Sequence, residues 1–210
     1  MKVKLFLVLI FLNGFYFTSF AQEQKMPDNE IFAFKQSVAF VASKIRTLST
    51  DFIQYKHLVF LSKDIETSGR MIFKEPNSLL WEYKKPYNFI IFFKNGKILI
   101  DDEGKKSSMD ISSSKFFLKL NKLIIGSVSG NMFDDKEFSI TYFKTGINII
   151  TKLIPKDVSL KKYIKQIELT FDKDEATVIQ VKLLESSEDY TRIVLKNKMI
   201  NAKIDGSIFN

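Results

Sequence analysis

From Thr50 onward, stretches of alternating apolar and polar residues are cut by connections only two or three residues long, and this pattern restricts the fold more than any other feature. The cuts fall at Pro76-Asn77, Asn95-Gly96, Glu103-Gly104, Thr145-Gly146, Pro155-Lys156-Asp157, Asp172-Lys173-Asp174 and Ser186-Ser187, with Asp64 and Pro86 as further breaks. Strands joined by so few residues cannot cross over to run parallel, so each must lie antiparallel beside the next. Asn95-Gly96 is the strongest of these hairpin signals, because both residues tolerate the positive φ of a tight turn.

The segments between the cuts predict strands at about 66–75, 78–84, 88–93, 97–102 and 105–111, and again at 137–144, 147–154, 163–171, 176–185, 189–196 and 199–204. A longer alternation precedes them. It puts Phe52, Gln54, Lys56, Leu58 and Phe60 on one side and Ile53, Tyr55, His57, Val59 and Leu61 on the other. The expectation is a mainly β fold of eleven or twelve strands with two or three helices.

Two stretches follow the helical period instead. Ile31, Phe34, Val38, Val41, Ala42 and Ile45 recur at spacings of three and four, with Asp28 or Asn29 placed to cap, and Phe32 and Phe40 widen the apolar face. Ser112 to Ser114 offer a second cap before Phe116, Phe117, Leu120, Leu123 and Ile124, and Gly126 ends that run. Gln22 to Asn29 is polar and reads as a loose arm. A sheet of this many strands curls or closes because strands twist. Amphipathic helices on a curled meander fill its concave side or its mouth, and an apolar inner face makes the whole a hydrophobic container.

The first twenty-one residues set the expected compartment. Lys2 and Lys4 precede an apolar run from Leu5 to Phe20, broken by Asn13-Gly14, which ends in Ser19-Phe20-Ala21. A basic start, a short apolar core and small residues before the cut are the marks of a secretory signal, so residues 1–21 are expected to be removed and 22–210 to form one domain. Removal takes away Lys2 and Lys4 and no acid, lowering the net charge from +8 to +6. The remaining lysines are scattered among acids and read as a solvated, mildly basic surface rather than a patch for anionic lipid. The sequence has no cysteine, so neither disulfides nor a lipid-anchored cysteine is available.

Catalytic chemistry finds little support. His57 is the lone histidine, and a metal or catalytic role would need partners that the sequence does not place near it, which favours a surface or strand-edge role. Asp101-Asp102-Glu103 and Asp134-Asp135 fall at turns and read as solvated hairpin ends. No nucleophile elbow, phosphate loop, zinc signature or nucleic-acid motif occurs, so neither an enzyme nor a nucleic-acid binder is expected, and no cofactor or metal. Trp81, the one tryptophan, shares a strand side with Leu79 and Tyr83 and suits either a cavity wall or ordinary core. The inward rows Gly69, Met71, Phe73 and Phe138, Ile140, Tyr142 leave the same two readings open.

Taken in order, several pieces resemble the LolA family of periplasmic lipoprotein carriers. They are Phe52-Ile53-Gln54, Gly69-Arg70-Met71-Ile72-Phe73, Pro76-Asn77, Trp81-Glu82-Tyr83, Pro86 and Asn95-Gly96-Lys97. Weaker matches follow at Leu153-Ile154-Pro155-Lys156, Ile167 to Asp172, Lys196-Asn197 and Ile200 to Ile204. The resemblance implies an unclosed antiparallel β-barrel of about eleven strands with a helical lid, LolA/LolB-like, that carries acyl chains between the inner and outer membranes. The lack of a lipid-anchoring cysteine sets the sequence apart from LolB, and the lack of a second domain from RseB.

On that resemblance the cavity and lid would be built from Phe52, Met71, Phe73, Trp81, Phe116, Phe117, Leu120, Ile124, Phe138, Ile140 and Tyr142. Its implied partners are lipidated proteins or other acyl lipids, an inner-membrane release complex and an outer-membrane acceptor, and the carrier is expected to act as a monomer. Two features depart from the family. Many members carry an arginine just before the strand-turn proline, thought to hold the lid closed, where this chain has Glu75. The family also usually continues past the position of Phe209 into a closing strand, where this sequence ends at Asn210. The expected function is therefore a periplasmic carrier of lipoprotein acyl chains, with a carrier or sensor of another lipid as the alternative.

Overall fold

The computed structural model describes residues 22–94, 97–110, 126, 132–205 and 208. The described elements are β1 (Gln24–Lys25), α1 (Asp28–Ala42), β2 (Thr47–His57), β3 (Ile65–Lys74), β4 (Ser78–Lys85), β5 (Phe89–Lys94), β6 (Lys97–Asp102), β7 (Lys105–Asp110), β8 (Phe138–Thr145), β9 (Asn148–Pro155), α2 (Val158–Lys161), β10 (Ile164–Asp172), β11 (Thr177–Glu185) and β12 (Tyr190–Ile200). The signal segment 1–21, the Asn95-Gly96 turn and the helix expected at 112–125 lie outside the described residues.

All twelve strands belong to one antiparallel sheet in the order β1-β8-β9-β10-β11-β12-β2-β3-β4-β5-β6-β7. Two meanders, β2 to β7 and β8 to β12, are thus joined where β12 lies beside β2, with Val194 opposite Ile53 and Leu195 opposite Phe52. Since β1 and β7 do not pair with each other, the arrangement is an unclosed barrel. The short-turn reading of the sequence is realised in pairings such as Lys74 opposite Ser78 and Thr145 opposite Asn148, whereas residues 58–64 join β2 to β3 and a link holding α2 joins β9 to β10.

Several sequence expectations are corrected. Gln24 and Lys25 are not a loose arm: they pair with Lys144 and Phe143, and Met26 beside them is buried. The first long strand begins earlier than expected, at Thr47, and stops at His57, where the chain turns out and leaves Phe60 80% exposed. The two strands expected at 189–196 and 199–204 form one strand with a bulge between Lys196 and Met199, and it ends at Ile200. At that bulge Asn197 holds φ 52, a left-handed conformation that asparagine tolerates better than most residues.

Helix α1 starts three residues before the expected Ile31, with Pro27 rather than Asp28 or Asn29 at its N-cap. Asp28 and Glu30 instead occupy the first turn, where a carboxylate meets the positive end of the helix dipole. The helix buries Phe34, Val38 and Ala42, one residue per turn, against the concave side of the sheet. Phe32 and Phe40 do not widen this face: both are largely exposed, and Lys44 covers the Phe40 ring at 3.7 Å. After Ala42 the turns tighten, with Lys44 N–H donating to Val41 and Ile45 N–H to Ala42. This brings Ile45 onto the core, 8% exposed.

The core is divided. One cluster joins α1 to β8–β11 through Phe34, Val38, Phe138, Tyr142, Leu153, Ile167 and Phe171. A second lies on β2–β6 and contains Leu48, Phe52, Met71, Phe73, Leu79, Phe93 and Ile98. A third, on the other side of β3–β5, packs Ile72, Leu80 and Phe92 beneath Ile204 and Ile208.

Two small features hold this geometry. Gly69 sits between Phe52 on one neighbouring strand and Tyr83 on the other, next to a bulge at Ser68. The Phe52 and Tyr83 rings close over it edge to face, their centroids 5.3 Å apart. Asn201 ties the end of β12 to the link between α1 and β2: its Oδ1 accepts from the Arg46 N–H at 2.7 Å, and its Nδ2 donates to the Lys44 carbonyl at 2.8 Å.

A Cβ at Gly69 would lie 1.8 Å from the backbone carbonyl oxygen of Glu82, which cannot swing away as a side chain can. Gly69→Ala is therefore expected to destabilise the fold by roughly 2–3 kcal/mol, read as a lower urea midpoint. Asn201→Ala removes all three side-chain bonds, the third being the longer one from the Thr47 N–H to Oδ1 at 3.3 Å, and favours leaving φ 57, and should cost about 1–3 kcal/mol in the same measurement. An unchanged midpoint for either variant would contradict the role given to it.

Candidate functional site

Between the first two core clusters the packing is incomplete, and an apolar cavity of about 270 Å³ lies there. Its roof is α1 and the turn after it, through Val38, Val41, Ala42 and Ile45. One wall comes from β2–β5, with Leu48, Gln54, Met71, Trp81, Tyr83, Ile91 and Phe93. The other comes from β10–β12, with Ile167, Leu169, Val178, Val181, Leu183, Thr191, Ile193, Leu195, Lys198 and Ile200, and with Ala176 and Thr177 at the start of β11. Val41 and Leu195 touch both clusters and mark the line along which they meet.

The alternation of each strand explains this lining. On β12, Thr191, Ile193 and Leu195 face inward, and across the sheet Ile193 lies opposite Val181 and Gln54. The polar side chains in the lining are few. The Tyr83 hydroxyl donates to Gln54 Oε1 at 3.1 Å, and burial raises the tyrosine's pKa above its usual value. Among the described residues Lys198 is the single charged side chain of the lining. Such a surface offers dispersion contact and removal from water, with little for a polar ligand to bond to.

The residues expected at the site fall into four groups. Met71 and Trp81 line the cavity. Phe52 and Phe73 are buried in the cluster behind that wall, where the Phe52 ring packs on Trp81 with centroids 4.6 Å apart. Phe138 and Tyr142 sit in the other cluster beside Phe34, and Ile140 packs against it partly buried. They are core rather than lining because β8 lies next to the sheet edge, where α1 covers its inner face. Burial there drives the Tyr142 phenol well above the usual tyrosine range. Phe116, Phe117, Leu120 and Ile124 lie outside the described residues.

Glu75 forms an ion pair with Arg46 Nη1, on the link between α1 and β2, and its backbone N–H donates to the Arg46 carbonyl at 2.9 Å. The acid before the strand-turn proline is thus matched by an arginine on the neighbouring segment. Both side chains are well exposed, so the pair contributes little to stability.

The sequence reading missed the roof and one wall: Val38, Val41 and Ala42 of α1 and the inward rows of β10–β12. Their periodicity was visible, but nothing local said that these two faces would look at each other. His57 stands at the end of β2, with Nδ1 2.9 Å from Asp64 Oδ1 and its ring stacked on Tyr190 at 4.7 Å. Among the described residues no group of three His, Cys, Asp or Glu side chains could hold a metal ion, and no helix is long and apolar enough to cross a membrane.

No curated protein matches the sequence. Among solved structures, the chain is similar to a DUF1329 family protein from Desulfovibrio piger, at 10% identity and TM-score 0.48, covering 86% of this chain and 97% of that one. It is also similar to a LolA superfamily protein from Nitrosomonas europaea, at 8% identity and TM-score 0.42, covering 84% and 97%. The Mycobacterium tuberculosis lipoprotein LppX gives 7% identity and TM-score 0.48, covering 85% of this chain and 100% of that one. The family assignment comes instead from a sequence match that spans most of the chain. Residues 43–210 fit the family described as outer membrane lipoprotein carrier protein LolA, and the chain therefore belongs to the LolA family, a family of carriers rather than enzymes.

Proposed function

We propose that the protein is a periplasmic carrier that takes up lipoprotein acyl chains in the cavity beneath α1 and shuttles them from the inner to the outer membrane. The cavity carries this reading: an apolar space of about 270 Å³ is left open between two packed clusters, where an ordinary core would have closed it. The apolar run ending at Ala21 supports export into the periplasm, and family membership supports the carrier role.

The energetics suit transfer. Each methylene withheld from water is worth roughly 0.8 kcal/mol, whether it lies in a bilayer or in a protein cavity. A wall of Trp81, Phe93, Ile193 and Leu195 can match the membrane closely enough for cargo to pass in either direction at little net cost. The half-buried rings of Trp81 and Tyr83 also lose little freedom when a flexible chain enters. An inner-membrane donor and an outer-membrane acceptor complete the proposed route, with the carrier acting as a monomer between them.

One observation favours a second reading, a carrier or sensor of another lipid. At about 270 Å³ the cavity is near the lower end of the range for pockets that enclose one small ligand, and it suits one chain better than several.

Native mass spectrometry of the protein recovered from periplasm distinguishes the two. A bound acylated peptide or protein supports the lipoprotein carrier, a bound free lipid supports the second reading, and a protein that neither carries nor accepts an amphiphile overturns both. Ile193→Trp adds an indole to the cavity wall and should abolish the bound species while shifting the thermal midpoint by no more than a few degrees. Retention of the ligand by that variant would place the site elsewhere.

A further inference from the structure

Thr191, Ile193 and Leu195 alternate into the cavity along β12, and simple continuation would bring Asn197 and Met199 inward next. The bulge between Lys196 and Met199 changes the parity. Asn197 takes the left-handed conformation and donates from Nδ2 to Asp51 Oδ2 at 2.8 Å. As a result Lys198 and Ile200 line the cavity, while Met199 is 56% exposed. Bulges commonly re-aim side chains beside functional sites. Here the outcome is the reverse of what burial alone would select: a lysine stands in an apolar lining and the adjacent methionine in water.

The ammonium of Lys198 is not left uncompensated. Its side chain is only 15% exposed, and Nζ donates to Glu175 Oε2 at 2.7 Å and to the Thr177 hydroxyl. The hydrogen bond from Lys198, and then its charge, hold the Glu175 carboxyl below the usual range. Glu175 itself lies in the turn between β10 and β11 with its side chain 60% exposed, so the pair marks the edge of the cavity. An exposed carboxylate can exchange its partner for water at small cost, whereas the lysine stem is held by the strand.

We propose that Lys198 is a headgroup anchor, pairing with the carboxylate or phosphate of a single-chain anionic amphiphile whose hydrocarbon fills the cavity, with Glu175 giving up its place to the incoming anion. The proposal rests on the reading that the cavity encloses an acyl chain, and it adds the class of headgroup. A charge-assisted bond formed in a water-poor setting favours an anionic ligand over a neutral one of equal chain length.

Trp81 is the only tryptophan of the protein and lines the cavity, so its fluorescence reports occupancy directly. The purified protein is titrated, below the micelle thresholds, with palmitate against hexadecanol and with palmitoyl-lysophosphatidic acid against monopalmitoylglycerol. The expected result is about tenfold tighter binding of the anionic member in at least one pair, and the pair that shows it identifies carboxylate or phosphate. Lys198→Met should erase this preference without weakening hexadecanol, Lys198→Arg should keep it, and Glu175→Gln should strengthen the anionic ligand a few-fold. Equal affinity within both pairs, or a preference that survives Lys198→Met, overturns the anchor. Failure of all four amphiphiles to bind overturns the acyl-cavity reading itself. Thermal unfolding of each variant separates loss of binding from loss of fold.

Discussion

The pairing of β12 with β2 is the contact on which the rest of the structure depends. It joins residues about 140 positions apart, Leu195 to Phe52 and Lys196 to Asp51, and turns two separate meanders into one sheet. Closing so long a stretch of chain is entropically costly, and the register is maintained by what lies at both ends of the contact. At one end Asn201 bonds the Arg46 and Lys44 backbone, and at the other His57 stacks on Tyr190. Neither meander alone would enclose anything.

The cavity follows from that joining. Each meander brings its own packed cluster, aromatic on β2–β4 through Phe52 and Trp81, and aromatic again around Phe34, Phe171 and Tyr142. Helix α1 bridges them, but its buried stripe of Phe34, Val38 and Ala42 is narrow, and Phe32 and Phe40 face away. An under-packed seam in an otherwise dense interior is costly to keep, and a carrier is one role in which that cost is repaid when cargo enters.

Much of the sheet was legible residue by residue. Turn pairs such as Pro76-Asn77 and Thr145-Gly146 placed the hairpins within a residue or two, because tight turns are governed by local φ preferences. Boundaries failed where the decisive contact was distant. Gln24 and Lys25 read as a loose arm because their partner β8 is far along the chain, and the strand from Thr47 reads as starting late because Thr47 and Ser49 gain their place from β3 and β12. The candidate site was legible in part. Alternation left cavity wall and core open for both rows, and the structure puts Met71 and Trp81 on the cavity and Phe138 and Tyr142, on an equally regular row, in solid core. Alternation says that a residue faces inward; it does not say whether a neighbour has already filled the space there.

The sequence by itself determined an antiparallel, strand-rich fold and the amphipathic character of α1, because short turns, period-two alternation and helical spacing are local properties, and pieces such as Gly69 to Phe73 and Trp81-Glu82-Tyr83 carried its resemblance to a family of lipoprotein carriers. Only the tertiary structure decided which inward faces meet across a void, that Arg46 answers Glu75, and that a bulge at Asn197 turns Lys198 into the cavity and Met199 out of it. The physical reason is common to all three. Each depends on where one strand or segment lies relative to another far from it in the chain, and a shift of a single residue in such a register exchanges the two faces of a strand.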